Sequence, residues 1–158
     1  MNRGLAPVDS GRPPFVVSRM KNHARSLETS AGPDRVWRIW SNPSTWPKWN
    51  PDVVAIGLDG VFATGTSGTM TTRAGGTHAI ELRDVQPGRT FTIRTSPAPL
   101  STFHFKCEIA AAGAGSRITQ GVSMTGPLGG LMSALMAERI AAGFEPILEG
   151  LKKEAESR

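Results

Sequence analysis

Three histidines, one cysteine and a scatter of carboxylates are the side chains of this sequence able to move a proton or attack an electrophile. His78 shares a strand face with Ile80 and Leu82, which directs its imidazole toward an apolar interior. A histidine in that position serves either as a hydrogen-bonded core residue or as a general base. His104 alternates with Phe103 and Phe105 and is expected to face water. His23 and Arg25 stand on the face of Leu27, where they either meet a carboxylate or sit at an exposed sheet end. Cys107, between Phe105 and Ile109 at strand spacing, reads as a small buried hydrophobe. Gln120 aligns with Ile118, Val122 and Met124; its amide can orient a carbonyl or hydroxyl but cannot act as a base.

Several chemistries lack their residues. There is no His-x-x-x-His, no cysteine pair and no carboxylate cluster at ligand spacing, so neither a metal nor a cofactor is expected. A single cysteine excludes an intrachain disulfide. No Gly-x-Ser-x-Gly elbow is present. The glycine-rich stretch Thr64 to Gly76 lacks the Lys-Ser/Thr ending of a phosphate loop and reads as a mobile hairpin.

The chain has 158 residues, enough for one domain with a real core, at 39% hydrophobic and 20% charged residues. Its net charge of +5 suggests nucleic acid until the charges are located. Five basic residues against Asp9 alone fall in residues 1–25, while residues 26–158 hold 13 basic and 12 acidic residues. The rest of the chain is thus nearly neutral, and no nucleic-acid partner is expected. No apolar run approaches the ~20 residues of a membrane span, and the cytoplasm is the default compartment. Residues 1–19, rich in Gly and Pro without periodicity, read as a disordered leader, with Met20 as an alternative start and residues 20–158 as one domain.

The elements that must position these side chains follow from periodicity. A first strand spans Asn22 to Ser30, then Pro33 and Asp34 open a helix carrying Val36, Trp37, Ile39 and Trp40. Ser41-Asn42-Pro43 stops it, and one more short turn fits before Pro47 and Pro51. All four tryptophans, Trp37, Trp40, Trp46 and Trp49, lie here, and the chain has no tyrosine. Such a cluster makes a rigid apolar corner that plugs the fold, touches a ligand, or does both at Trp49. Six alternating runs follow: Val53 to Leu58, Gly68 to Arg73, Thr77 to Val85, Arg89 to Thr95, Ser101 to Ile109 and Ser116 to Met124. Finally Leu128 to Glu156 predicts a long helix, capped by Thr125-Gly126-Pro127 and kinked near Gly143 to Pro146. Its apolar stripe runs through Leu128, Leu131, Met132, Leu135, Met136, Ile140, Phe144, Ile147, Leu148, Leu151 and Ala155.

A strand, two short helices, about six strands and one long helix make an α+β architecture. With Pro33-Asp34-Arg35-Val36-Trp37, Trp46-Pro47-Lys48-Trp49-Asn50-Pro51, Gly113-x-Gly115-Ser-Arg-Ile-Thr and Thr125-Gly-Pro-Leu, the chain over residues 20–156 resembles the START-related helix-grip superfamily. That group includes polyketide cyclase and dehydrase-like proteins, plant pathogenesis-related ligand binders and Hsp90-activator-like domains. The resemblance implies a curved antiparallel sheet of about seven strands wrapped around the long helix, with a cavity for an apolar or amphipathic molecule between them. Trp40 and Trp49 are expected in its wall, with Met70, His78, Ile80, Phe91 and Ile93 from the first strands. Phe103, Phe105, Cys107, Gln120, Val122 and Met124 follow from the later strands, and Leu135, Met136 and Ile140 from the helix.

The expected partner is a small hydrophobic ligand, lipid or polyketide-like, held without catalysis. The alternative is a cyclase or dehydratase with His78 as base, and a further one is an Hsp90-activator-like interaction module. Cyclase relatives place inward Ser and Arg on the strand matching Thr77 to Val85 and use a tyrosine, whereas this chain has Ile80, Leu82 and no tyrosine. Bacterial relatives place histidines where Cys107 and Gln120 stand here.

Overall fold

The alternating runs become strands β1 (Ala24–Thr29), β2 (Val53–Leu58), β3 (Ser67–Thr72), β4 (Gly76–Gln86), β5 (Thr90–Ala98), β6 (Ser101–Ala112) and β7 (Gly115–Thr125). They form one antiparallel sheet in the order β1-β7-β6-β5-β4-β3-β2. Between the two edge strands the chain passes through α1 (Pro33–Trp40), a 3-10 turn (Pro43–Thr45) and α2 (Trp46–Trp49). Two further helices, α3 (Leu131–Ala142) and α4 (Phe144–Glu156), close the chain. This is the curved-sheet, helix-grip architecture. The computed structural model describes residues 23–98, 100–127 and 131–158, so the leader over residues 1–19, the start at Met20 and the helix start at Leu128 lie outside the described residues.

The period of two delivers one apolar face, and the register lines it up in rows. Leu82, Ile93, Phe105 and Val122 lie side by side across β4, β5, β6 and β7. Ile80, Thr95, Phe103 and Met124 form the next row, and Phe91, Cys107 and Gln120 one on the other side. The Thr64 to Gly76 stretch supplies β3 and the turn into β4. Gly68 needs to be glycine, because a Cβ there would stand 2.1 Å from the Gly57 carbonyl oxygen.

The C-terminal helix bends where the sequence places the proline. Gly143 donates its N–H to the Ile140 carbonyl at 3.0 Å, a tightened turn that separates α3 from α4. Pro146 then falls in the first turn of α4, where its missing N–H costs nothing. Thr125 ends β7 opposite Thr102, and its hydroxyl is bonded to His104 Nε2 at 3.2 Å.

The stripe on α4 is as the spacing predicts, with Phe144, Ile147, Leu148, Leu151 and Ala155 buried. On α3 the expectation is corrected. Ala137 and Ala141 are buried, whereas Leu135 and Met136 are 76% and 43% exposed. Small side chains on the inner face let α3 approach β7 closely, and this turns Leu135 and Met136 outward.

One close approach fixes α4 over α2. A Cβ on Gly150 would sit 1.9 Å from the Trp49 carbonyl oxygen. Helix propensity alone predicts that Gly150→Ala stabilises the protein by about 1 kcal/mol. We expect the reverse, a loss of about 2 kcal/mol in urea unfolding, because the carbonyl must move. Unchanged or raised stability would show that α2 can be pushed aside freely.

Candidate functional site

A cavity of about 630 Å³ lies between the concave face of the sheet and the bent helix. Its size is that of a small-molecule site, and most of its wall is apolar. Trp40, Trp46 and Trp49 close one side and are almost fully buried. Two of the ring nitrogens are bonded within the protein: Trp46 donates to the Trp40 carbonyl at 3.0 Å and Trp49 to Thr45 Oγ1 at 3.4 Å. Met70, Ile93, Phe103 and Phe105 come from the strands, and Ile140, Phe144 and Ile147 from the helix. Wall residues that are also exposed mark the mouth. Arg139, Gly143 and Pro146 form one lip at the helix bend, and Pro51, Ala74 and Gly75 the other.

The polar groups of the wall are few. Asn50 accepts from the Asp52 backbone N–H at 3.0 Å, and Thr95 donates to the Ala79 carbonyl at 2.9 Å. His78 is half-buried beside the β3–β4 turn, where a Cβ on Gly75 would stand 3.0 Å from its Nε2. Neither His78 nor Arg139 has a hydrogen-bond or ion-pair partner among the described residues. Cys107 is buried, and desolvation with the nearby Glu108 pushes its thiol far above the ordinary range, so it stays protonated. Gln120 stands opposite Cys107, and its Oε1 is shut off from solvent without a hydrogen-bond partner.

His23 and Arg25 meet carboxylates of the protein itself. Arg25 Nη2 lies 2.7 Å from Glu138 Oε1 and Arg25 Nε 3.7 Å from Glu145 Oε1, one on each side of the bend. His23 Nδ1 is 3.5 Å from Glu138 Oε2, within ion-pair reach though not hydrogen-bonded. Arg25 holds the Glu138 carboxyl below its usual range, although the group is exposed. His104 lies on the other face, between Arg94 and Ser123 in register, and burial followed by the Arg94 charge lowers its pKa.

Of the residues expected in the wall, Trp40, Trp49, Met70, His78, Ile93, Phe103, Phe105, Cys107, Gln120 and Ile140 border this cavity. Six others do not. Ile80 and Val122 are buried in the packed core, and Phe91 is enclosed by Trp37, Trp40, Trp46 and Phe62 with ring centroids 5.0 to 6.3 Å away. Met124 is half-buried outside the wall, and Leu135 and Met136 face solvent. Among the polar wall residues, sequence reasoning missed Asn50, Asp52, Thr72, Thr95 and Arg139. The signal for Arg139 was its place four residues before Gly143 and seven before Pro146, on one helical face.

A family model described as polyketide cyclase / dehydrase and lipid transport matches residues 20–156, and the chain belongs to that family. No curated protein matches the sequence. Among solved structures, TTHA0849 from Thermus thermophilus is similar at 15% identity and a TM-score of 0.66, covering 84% of this chain and 94% of that one. The truncated norcoclaurine synthase of Thalictrum flavum is similar at 14% identity and a TM-score of 0.62, covering 85% and 92%. The di-domain ARO/CYC StfQ of the steffimycin pathway is similar at 17% identity and a TM-score of 0.67, covering 84% of this chain and 49% of that one. At such identities the likeness is one of fold. Among the described residues, no helix is long and apolar enough to cross a membrane.

The state of Cys107 can be read directly. A maleimide should label it very slowly in the native protein near neutral pH and rapidly once the chain is unfolded, since only the exposed thiolate reacts. Comparable rates in both states would mean that the cavity wall opens to reagents.

Proposed function

We propose that the protein binds a small apolar or amphipathic molecule in the cavity between sheet and bent helix and holds it without transforming it. The observation that carries this reading is the cavity of about 630 Å³ with a mostly apolar wall and a mouth at the helix bend. Burial of apolar ligand surface, at roughly 25 cal/mol per Å², supplies the affinity. The wall holds three other ionisable residues, Asp52, His78 and Arg139, and its Cys107 thiol is held neutral. The family description covers both cyclases and lipid transport, so it is compatible with this reading and with the next.

The test uses N-phenylnaphthylamine, a neutral apolar fluorophore, in a titration against the purified protein. Saturable one-to-one binding is expected, weakened more than tenfold in Ile140→Trp, which fills the cavity from α3. Binding that ignores this substitution, or no binding at all, would sink the reading.

A second reading, a cyclase or dehydratase acting on a polyketide-like compound, is favoured by one observation: His78 borders the cavity and is free of protein partners among the described residues. His78→Gln separates the two. In a binder it changes affinity by about tenfold at most, the effect of one neutral hydrogen bond. In an enzyme it lowers turnover by about 10²–10⁴-fold with little change in binding. An interaction module using the outer sheet face has less support, since Glu81, Arg83, Arg94, Lys106 and Glu108 there are engaged with one another.

A further inference from the structure

We propose that the molecule taken up by this cavity is neutral and carries an oxygen, as ketone, ether or hydroxyl, that accepts a hydrogen bond from Gln120 Nε2. The proposal rests on the binding reading above and specifies its ligand. Gln120 borders the cavity, yet its Oε1 is hidden without a partner, and its Nε2 has none among the described residues either. An amide with unmet demand at both ends in an apolar wall is costly, and each such group calls for a partner or a water.

The neighbours cannot supply that partner. Cys107, opposite on β6, offers only a neutral thiol, weak both as donor and as acceptor. Arg25, opposite on β1, has its guanidinium committed to Glu138, Glu145 and the Ala24 carbonyl. Rotation about the terminal side-chain torsion exchanges the two ends, and the end that serves a ketone, ether or hydroxyl oxygen is the nitrogen.

Charge narrows the class. Arg139 is the cation in the wall among the described residues, and it stands at the mouth with Asp52 also in the wall. A carboxylate at the level of Gln120 would meet no uncommitted cation, because Glu138 and Glu145 already balance the Arg25 charge, and burying it there is strongly disfavoured. Position narrows it further. Relative to the Leu82–Val122 row, Gln120 lies two residues to one side and His78 four to the other. At ~3.3 Å per residue this separates them by roughly 20 Å along the strands. The oxygen recognised by Gln120 is therefore a different one from any polar group met at the His78 rim.

Calorimetric titrations with methyl naphthyl ketone and with isopropenylnaphthalene, an alkene of the same shape, test this in the wild type, Gln120→Leu and Gln120→Met. Both substitutions remove a buried unsatisfied amide and leave an apolar side chain of similar size. Comparing ketone-to-alkene affinity ratios between proteins cancels the different water solubilities of the probes. The ratio should fall about fivefold or more in both variants, as expected for loss of one hydrogen bond. An equal ratio in all three proteins overturns the proposal while the cavity remains a binding site. If neither probe binds any of the three, nor displaces N-phenylnaphthylamine from the wild type, this proposal and the binding reading fall together.

Discussion

The contact between Gly150 and the Trp49 carbonyl is the constraint on which the cavity depends. It brings α4 against α2 so closely that no side chain can stand between them. Once that contact is made, Leu148, Leu151 and Ala155 seal the second half of the helix to the core. Trp40 and Trp46 then pack edge-on or tilted against Phe91, with Trp37 and Phe62 on its other sides. The aromatic cluster fills the space over β5 from one end. What stays open is the region beneath the bend, where Gly143 has no side chain and α3 turns alanines to the sheet.

The bend in turn has to be held. Arg25 reaches across it, bonding Glu138 on α3 and approaching Glu145 on α4. These carboxylates are exposed, so each pair contributes little on its own. Their importance is geometric: one guanidinium from β1 ties two helices whose angle sets the width of the mouth. In the proposed binder a weak, water-exposed clamp of this kind could open to admit a ligand.

Much of the fold is legible in the sequence because periodicity reports faces. The strand from Val53 to Leu58 matches its alternating run to the residue, and the break near Gly143 follows from Pro146 lacking an N–H. Depth is another matter. Phe91 and Ile93 share a strand face, and alternation cannot tell that rings enclose the first while the second meets empty space. Leu135 and Met136 escape the stripe rule because a helix with alanines at Ala137 and Ala141 can rotate its smaller face inward when close approach wins over apolar area. Arg139 shares a helical face with Gly143 and Pro146, but that spacing alone does not say that the face overlooks a cavity mouth.

The distribution of polarity along the wall also bears on catalysis. General acid–base work needs a group whose proton can be exchanged at the reacting atom, held in place by a second group. His78 sits at the rim with no described side chain to orient it, and Cys107, the ionisable group level with Gln120, cannot become a thiolate where it lies. Gln120 is polar without being ionisable. In a low-dielectric chamber a neutral amide costs far less than a charge, and it still distinguishes an oxygenated molecule from a plain hydrocarbon. A wall that combines a buried amide with a half-buried histidine lacking a partner fits the proposed binder better than the proposed enzyme.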